Sequence, residues 1–193
     1  PVALSAAVAA NLSLTLYDRE SLARFKNAAT AIGVHVKLNS GMNRLGASPA
    51  EAVALATEVH RDSRLRLEGF WTHFSSADED SDVTRAQLRR YLEARTELER
   101  AGVTGFLSHA ANSPGLLRVP EARLDVVRAG LILYGVRPVA DWRERVRAGF
   151  HLDNRFVRVL FDEQERMLPG DPERVQEALG MRTDRVGPGR YHT

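Results

Sequence analysis

The 193 residues suffice for one domain or a domain with a short extension, and 44% hydrophobic with 27% charged residues excludes disorder and a membrane-embedded chain. Cysteine is absent, which excludes disulfides, thiolate catalysis and cysteine-type zinc sites and fits a cytoplasmic protein. The net charge of +2 is spread over basic residues interleaved with acidic ones, as in RRYLEARTELERAG at 89–102, a solvated helix face and not a nucleic-acid-binding stripe.

The small residues of 1–10 lack a methionine and a basic flank, so they read as the start of a trimmed or partial chain, not a signal peptide. LSLTL at 12–16 predicts a strand. A helix follows, with Asp18 as its N-cap, running through Ala31 and closed by Gly33. VHVKL at 34–38 is the next strand. After the loop NSGMNRLGA, the run Ser48, Pro49, Ala50, Glu51 is a capping box with proline at the first helical position. That helix carries Val53, Ala54 and Thr57 on one face and runs to His60. LRLEGFWTHF at 65–74 is a third strand, followed by the acidic loop SSADEDSD, whose carboxylates lack EF-hand spacing and read as solvated. A long helix spans 83–101, with Leu88, Tyr91, Leu92 and Leu98 on its apolar positions. GFLSHAAN at 105–112 and LDVVRAG at 124–130 give a fourth and a fifth strand.

Short apolar strands alternating with amphipathic helices are the pattern of a parallel sheet with helical crossovers. The fold class is therefore α/β, a partial (β/α)8 TIM-type barrel of about five units, because a complete barrel takes about 250 residues. Residues 1–138 form this partial barrel. Residues 139–193 form a divergent, arginine-rich extension whose one clear helix start is Asp171, Pro172, Glu173. Such a partial barrel is expected to expose strand edges and an apolar inner face, and to be marginal or prone to self-association on its own.

In a parallel barrel the working groups sit where strands end and loops begin. Here those ends carry Lys37 with Arg44, then His73, then His109 with Asn112 and Ser113, then Arg128 with Gly130. A lone histidine there is usually structural and a lone arginine usually a surface ion pair. Four such ends on otherwise apolar strands are harder to explain, since burying an unpaired charge is costly.

The segments around these residues resemble alanine racemases. VHVKLNSGMNRLG is similar to the family's segment ending Gly-Met-x-Arg-Leu-Gly, and EGFWTHFSSADE to its Thr-His-Phe-x-x-Ala-Asp segment. SHAANSPGLL is similar to its His-x-x-Asn-Ser segment, and LDVVRAGLILYGVRP to its Asp-x-Val-Arg-x-Gly segment. The four occur in the family's order over about residues 11–138.

The resemblance implies pyridoxal 5'-phosphate (PLP) as cofactor and a role for each matched residue. His73 would pack against the face of the cofactor ring. Arg128 would hydrogen-bond the pyridine nitrogen and, because a guanidinium keeps its proton, leave that nitrogen unprotonated and the ring a weaker electron sink. His109 would orient Arg128, and these two are the catalytic candidates. Asn112, Ser113 and the amides of Gly130 and Leu131 would hold the phosphate. Arg44 would reach the phenolic oxygen and the substrate carboxylate, and Lys37 matches a lysine that is carbamylated in some members.

Two proton-transfer residues of the family have no counterpart here. One is the lysine that binds the cofactor's aldehyde, on a first strand resembling Val-Lys-Ala-x-Ala-Tyr-Gly-His-Gly. Of the 27 basic residues only Lys26 and Lys37 are lysines; Lys26 falls in a helix pattern and Lys37 matches another position. The other is a tyrosine from a C-terminal β-domain acting across a dimer interface, a role we do not give Tyr191.

The expected function is thus that of a fragment of an isomerase interconverting L- and D-alanine for peptidoglycan precursors, inactive as this chain alone. Its expected partners are a small amino-acid substrate and, for the full-length family, a second copy in a homodimer. No nucleic acid, membrane or metal ion is expected. The alternatives are a racemase of serine or a basic amino acid, and a non-catalytic PLP-binding module.

Overall fold

The computed structural model describes residues 2–28, 31–134 and 138–140, so the expected helix start at Asp171 lies outside the described residues. The backbone divides into two units, Pro1–Ala129 and Gly130–Thr193. Within the second, Leu131–Tyr134 form a 3-10 turn.

The first unit opens with helix α1 (Val2–Ala9) and then alternates strand and helix. The order is β1 (Leu14–Leu16), α2 (Arg19–Lys26), β2 (Ile32–Lys37), α3 (Pro49–Arg61), β3 (Leu65–Trp71), α4 (Ser81–Arg100), β4 (Leu107–Asn112), α5 (Ser113–Arg118) and β5 (Val126–Arg128). All four neighbouring pairs are parallel and the strand order follows the chain, β1-β2-β3-β4-β5. Sequential parallel pairing through helical crossovers is the arrangement of a barrel wall, here five strands wide.

The starts of α2, α3 and α4 have local causes. Asp18 accepts the amide of Ser21 at 2.6 Å to open α2. Ser48 accepts that of Glu51 at 3.4 Å, with proline next, to open α3. Asp80, from the acidic loop, accepts the amides of Asp82 and Val83 at 2.8 and 2.9 Å to open α4. Such caps satisfy amides that the helix itself leaves without partners.

The strands separate two environments. Leu16, Val34, Val36, Leu38, Phe70 and Ala110 are fully buried on the face covered by α3 and α4. Phe70 stacks on Tyr91 of α4 at 5.5 Å between ring centres, and the Tyr91 hydroxyl donates to the Phe70 carbonyl at 2.7 Å. The opposite, inner face carries His35, Lys37, Trp71, His109 and Arg128, which touch one another. An apolar inner face was expected, and it is instead largely polar and aromatic. The hydrophobic core lies between sheet and helices, where alternate strand residues point.

Three local expectations are also corrected. The helix after Asp18 does not reach Ala31 or end at Gly33; it stops at Lys26, where the Asn27 amide bonds back to the carbonyls of Arg24 and Phe25 and its side chain to that of Ala23. Gly33 belongs to β2, and the Glu68 carboxylate occupies the space a Cβ there would need, 2.3 Å away. On α3 the buried residues are Ala52, Leu55, Ala56 and Val59, not the face of Val53, Ala54 and Thr57. The third, fourth and fifth strands are shorter than expected, at Leu65–Trp71, Leu107–Asn112 and Val126–Arg128; the third stops before Thr72 and His73, and the fourth starts only after Gly105, whose φ is +80°.

Candidate functional site

Strand alternation and register bring the inner-face residues together. His35 and Lys37 lie two apart on β2 and so share a face; Lys37 pairs with Trp71, and Trp71 with His109. Asn112 pairs with Arg128. The result is one cluster around the indole of Trp71. Its ring stacks on His109 at 5.5 Å and 9°, with the Lys37 ammonium and the Arg128 guanidinium each 4.6 Å from a ring centre. The buried indole nitrogen of Trp71 has no hydrogen-bond partner among the described residues.

Arg128 is the most tightly held member. Its Nη1 donates to His109 Nδ1 at 2.8 Å, and its Nη2 to the carbonyls of Thr72 at 2.6 Å and Ala110 at 3.1 Å. These acceptors are neutral, so the positive charge is fixed in place and not cancelled. Burial lowers the Arg128 pKa to about 10, which still leaves it protonated at neutral pH.

The imidazoles around it are kept neutral. Burial, then the Arg128 charge and the neighbouring His35 ring, hold His109 down to about 3. Burial, then Arg128, Lys37 and Arg44, hold His73 down to about 4. Lys37, 5% exposed, is also lowered, by burial and then by Arg44 and Arg128.

The other expected residues take these places. Arg44 sits exposed in the loop between β2 and α3. That loop is pinned where Asn39 accepts the amides of Gly41 and Asn43 and where Leu38 bridges to Ala47. Gly46 has φ +131°, and a Cβ there would lie 2.8 Å from the Asn39 amide, so the turn needs glycine. His73 follows β3, half-buried. Asn112 ends β4 and caps α5 by accepting the Gly115 amide at 3.0 Å; Ser113 is the buried first residue of that helix. Gly130 and Leu131 belong to the second unit.

Sequence reasoning missed Trp71, His35 and Glu68. His35 Nδ1 lies 2.9 Å from His109 Nε2, and Glu68 stands beyond it. The available signal was the period of two: His35 and Lys37 are polar residues on one face of an apolar strand. Glycine inside a strand was the other, since Gly33 and Gly69 mark where Glu68 and His35 cross over the backbone.

The acidic loop is accounted for by capping and by Arg118 donating to the Asp78 carbonyl. Among the described residues no group of three or more His, Asp or Glu gathers as metal ligands, and no helix is long and apolar enough to cross a membrane.

Comparison with known proteins gives these groups a family. Residues 1–138 match the family described as "Alanine racemase, N-terminal domain". The alanine racemase of Desulfovibrio desulfuricans is 37% identical over 143 residues, which cover 72% of this chain and 38% of that protein. That of Desulforamulus reducens is 43% identical over 136 residues, covering 66% and 36%. Among solved structures, alanine racemase of Clostridium difficile 630 superposes with a TM-score of 0.70 at 34% identity, covering 75% of this chain and 40% of that one. The chain thus spans well under half the length of these relatives, 38% in the first. It belongs to the alanine racemase family, through that family's N-terminal domain.

Proposed function

We propose that residues 1–138 are the cofactor-holding part of a PLP-dependent alanine racemase, a cytoplasmic isomerase interconverting L- and D-alanine for peptidoglycan precursors. The observation that carries this reading is Arg128: a half-buried guanidinium held by a neutral imidazole and two carbonyls, beside Trp71 and Lys37. Such a group donates strongly to a neutral ring nitrogen without giving up its proton. The wider donor set suits a ligand with a ring nitrogen and anionic groups. Lys37, Arg44 and Arg128 are cationic neighbours of His73, and the Trp71 indole N–H lacks a partner among the described residues.

In this reading Arg128 donates to the pyridine nitrogen, His109 orients Arg128, and the neutral ring of His73 packs on the cofactor face. Asn112 and Ser113 receive the phosphate. Arg44 faces the phenolic oxygen and the substrate carboxylate, and Lys37, carbamylated or not, positions Arg44. When bound, the cofactor supplies a conjugated ring that withdraws electrons from the α-carbon of an amino acid. Arg128 keeps that withdrawal moderate, which suits returning a proton quickly.

The residues that would move protons are not in this set. Lys26 sits on α2 in an ion pair with Glu58, away from the inner face, and Lys37 is held against Trp71. We therefore read the 193-residue chain alone as inactive, with residues 139–193 as a divergent extension and the homodimer as a property of the longer relatives.

Titration of the chain with PLP, followed by cofactor absorbance and equilibrium dialysis, tests this. Saturable binding that Arg128→Met weakens at least tenfold is expected, with no racemisation of either alanine enantiomer. Absence of binding would sink the cofactor reading. Racemisation by the chain alone would sink the assignment of inactivity, and binding with an intact Arg128 dependence in a racemisation-dead full-length protein would favour the non-catalytic module.

A further inference from the structure

Behind Arg128 runs a line of polar groups, of which the functional reading uses only His109. Arginine has no acceptor atom, so the 2.8 Å contact requires His109 Nδ1 to carry a lone pair. The neutral His109 ring then has its proton on Nε2, where it donates to His35 Nδ1 at 2.9 Å. His35 Nδ1 is thereby an acceptor, and its own proton sits on Nε2, which faces Glu68 Oε2 at 4.0 Å. Every donor in the line faces away from Arg128, and a carboxylate stands at its far end, just beyond hydrogen-bond distance.

The backbone is shaped to permit this line. A bulge shifts the register between Val34 and His35, so that Val34 pairs with Leu67 but His35 with Gly69, and Glu68 is the extra residue. A bulge re-aims side chains locally. The Glu68 carboxylate then crosses over Gly33, and the His35 ring crosses over Gly69, where a Cβ would lie 2.0 Å from His35 Nδ1. Glu68 is also anchored from its other side by the Ser13 hydroxyl and by Arg66 at 3.1 Å. Burial opposes its ionisation, but those hydrogen bonds and the Arg66 charge outweigh burial and keep it a carboxylate.

We propose that His35 is a positioning residue for Arg128, acting through His109 and anchored by Glu68. The inference rests on the reading of Arg128 as the ring-nitrogen donor. An imidazole pair does what a carboxylate beside Arg128 would not: it fixes the guanidinium plane by hydrogen bonding while leaving the charge whole for the ligand. The negative charge that orients the pair stands two rings away.

The test uses the full chain with 15N-labelled imidazoles, and its first arm needs no cofactor. Nitrogen–proton correlations report the tautomer of each ring. His109 is expected as a single Nε2–H tautomer at neutral pH in the unaltered chain. In His35→Phe its nitrogen shifts move toward those of an exchanging ring, and in His35→Gln, whose amide oxygen accepts the same proton, they return. Gly69→Ala places a methyl where the His35 ring lies and gives the same displacement with both histidines present. Glu68→Ala leaves His35 in mixed tautomers. His109 shifts that stay unchanged in both His35→Phe and Gly69→Ala overturn the proposal. In the second arm, PLP affinity falls about fivefold in His35→Phe, the loss of about one hydrogen bond's net worth, and recovers in His35→Gln. An unchanged affinity alongside altered tautomers also overturns it. If the unaltered chain binds no PLP, the cofactor reading fails while the first arm still decides whether the relay exists.

Discussion

The two faces of one five-stranded sheet follow opposite rules. Toward α3 and α4 the strands present Leu16, Val34, Val36, Phe70 and Ala110, all fully buried, and interactions there are apolar and interchangeable in kind. On the other face the same strands present His35, Lys37, Trp71, His109 and Arg128, where burial works against charge and each partner is specific. The alternation of side chains along a strand lets one segment serve both purposes, since Phe70 and Trp71 are adjacent in sequence yet face opposite ways. On the proposed reading, the difference separates what the chain needs to fold from what it offers a ligand.

The largest effect is expected on the helix-covered face. Phe70→Ala removes a fully buried ring stacked on Tyr91 and leaves a cavity, at a cost of about 3–5 kcal/mol. Domain stabilities are about 5–15 kcal/mol, so a denaturant midpoint close to zero, or failure to accumulate, is expected. A shift below about 1 kcal/mol would mean that the core does not lie between sheet and helices.

The inner face is expected to reveal itself through pH. His109 and His73 are held at about 3 and about 4 in the folded chain, against 6.5 for an ordinary ring. The unfolded chain thus takes up protons that the folded one refuses. The stability tied to the neutral rings is whole above pH about 6.5 and is lost as pH falls toward the folded values. Between about 6.5 and 4.5 most carboxylates have yet to titrate, so unfolding there takes up as many as about two protons from these rings. Denaturant melts across that window give the slope, and His109→Asn removes about half of it. A flat profile would place both rings in water.

A smaller loss follows from closing the space beside Gly69. Gly69→Ala pushes a methyl against the His35 ring and costs about 1–3 kcal/mol as overpacking. Adding His35→Ala to it restores most of that loss if the ring is what collides. Chemical denaturation of the single and double variants reads this directly; equal losses in both would shift the blame to the strand backbone.

Legibility in the sequence followed the range of the interaction. Asp18, Ser48 and Pro49 announce their helices because a cap bonds to amides within three residues, and five strands in order were readable from apolar runs. Lys37, His73, His109 and Arg128 stood out as polar groups at strand ends, and Lys37, His109 and Arg128 meet around Trp71. The rest depends on pairing between distant residues. His35 meets His109 across 74 positions, and only the bulge at Glu68 turns that carboxylate toward them. The buried stripe of α3 was misjudged because alanine is common on both of its faces, and α5, six residues long, is too short to show a period.

Arg128→Lys sharpens the comparison most because it should cost the least stability of these variants. An ammonium keeps the charge beside Trp71, but it lacks the planar fork that serves His109 and the carbonyls of Thr72 and Ala110 together. One or two of these acceptors must go without, at about 1 kcal/mol each, and the denaturation midpoint falls modestly. Affinity for PLP should fall about tenfold, because the direction of the donated proton, and not the charge alone, is what the neutral imidazole preserves. A lysine variant that binds PLP as tightly as arginine would reduce the inner face to a patch of positive charge. A variant that loses affinity while melting normally would separate the sheet's two faces experimentally.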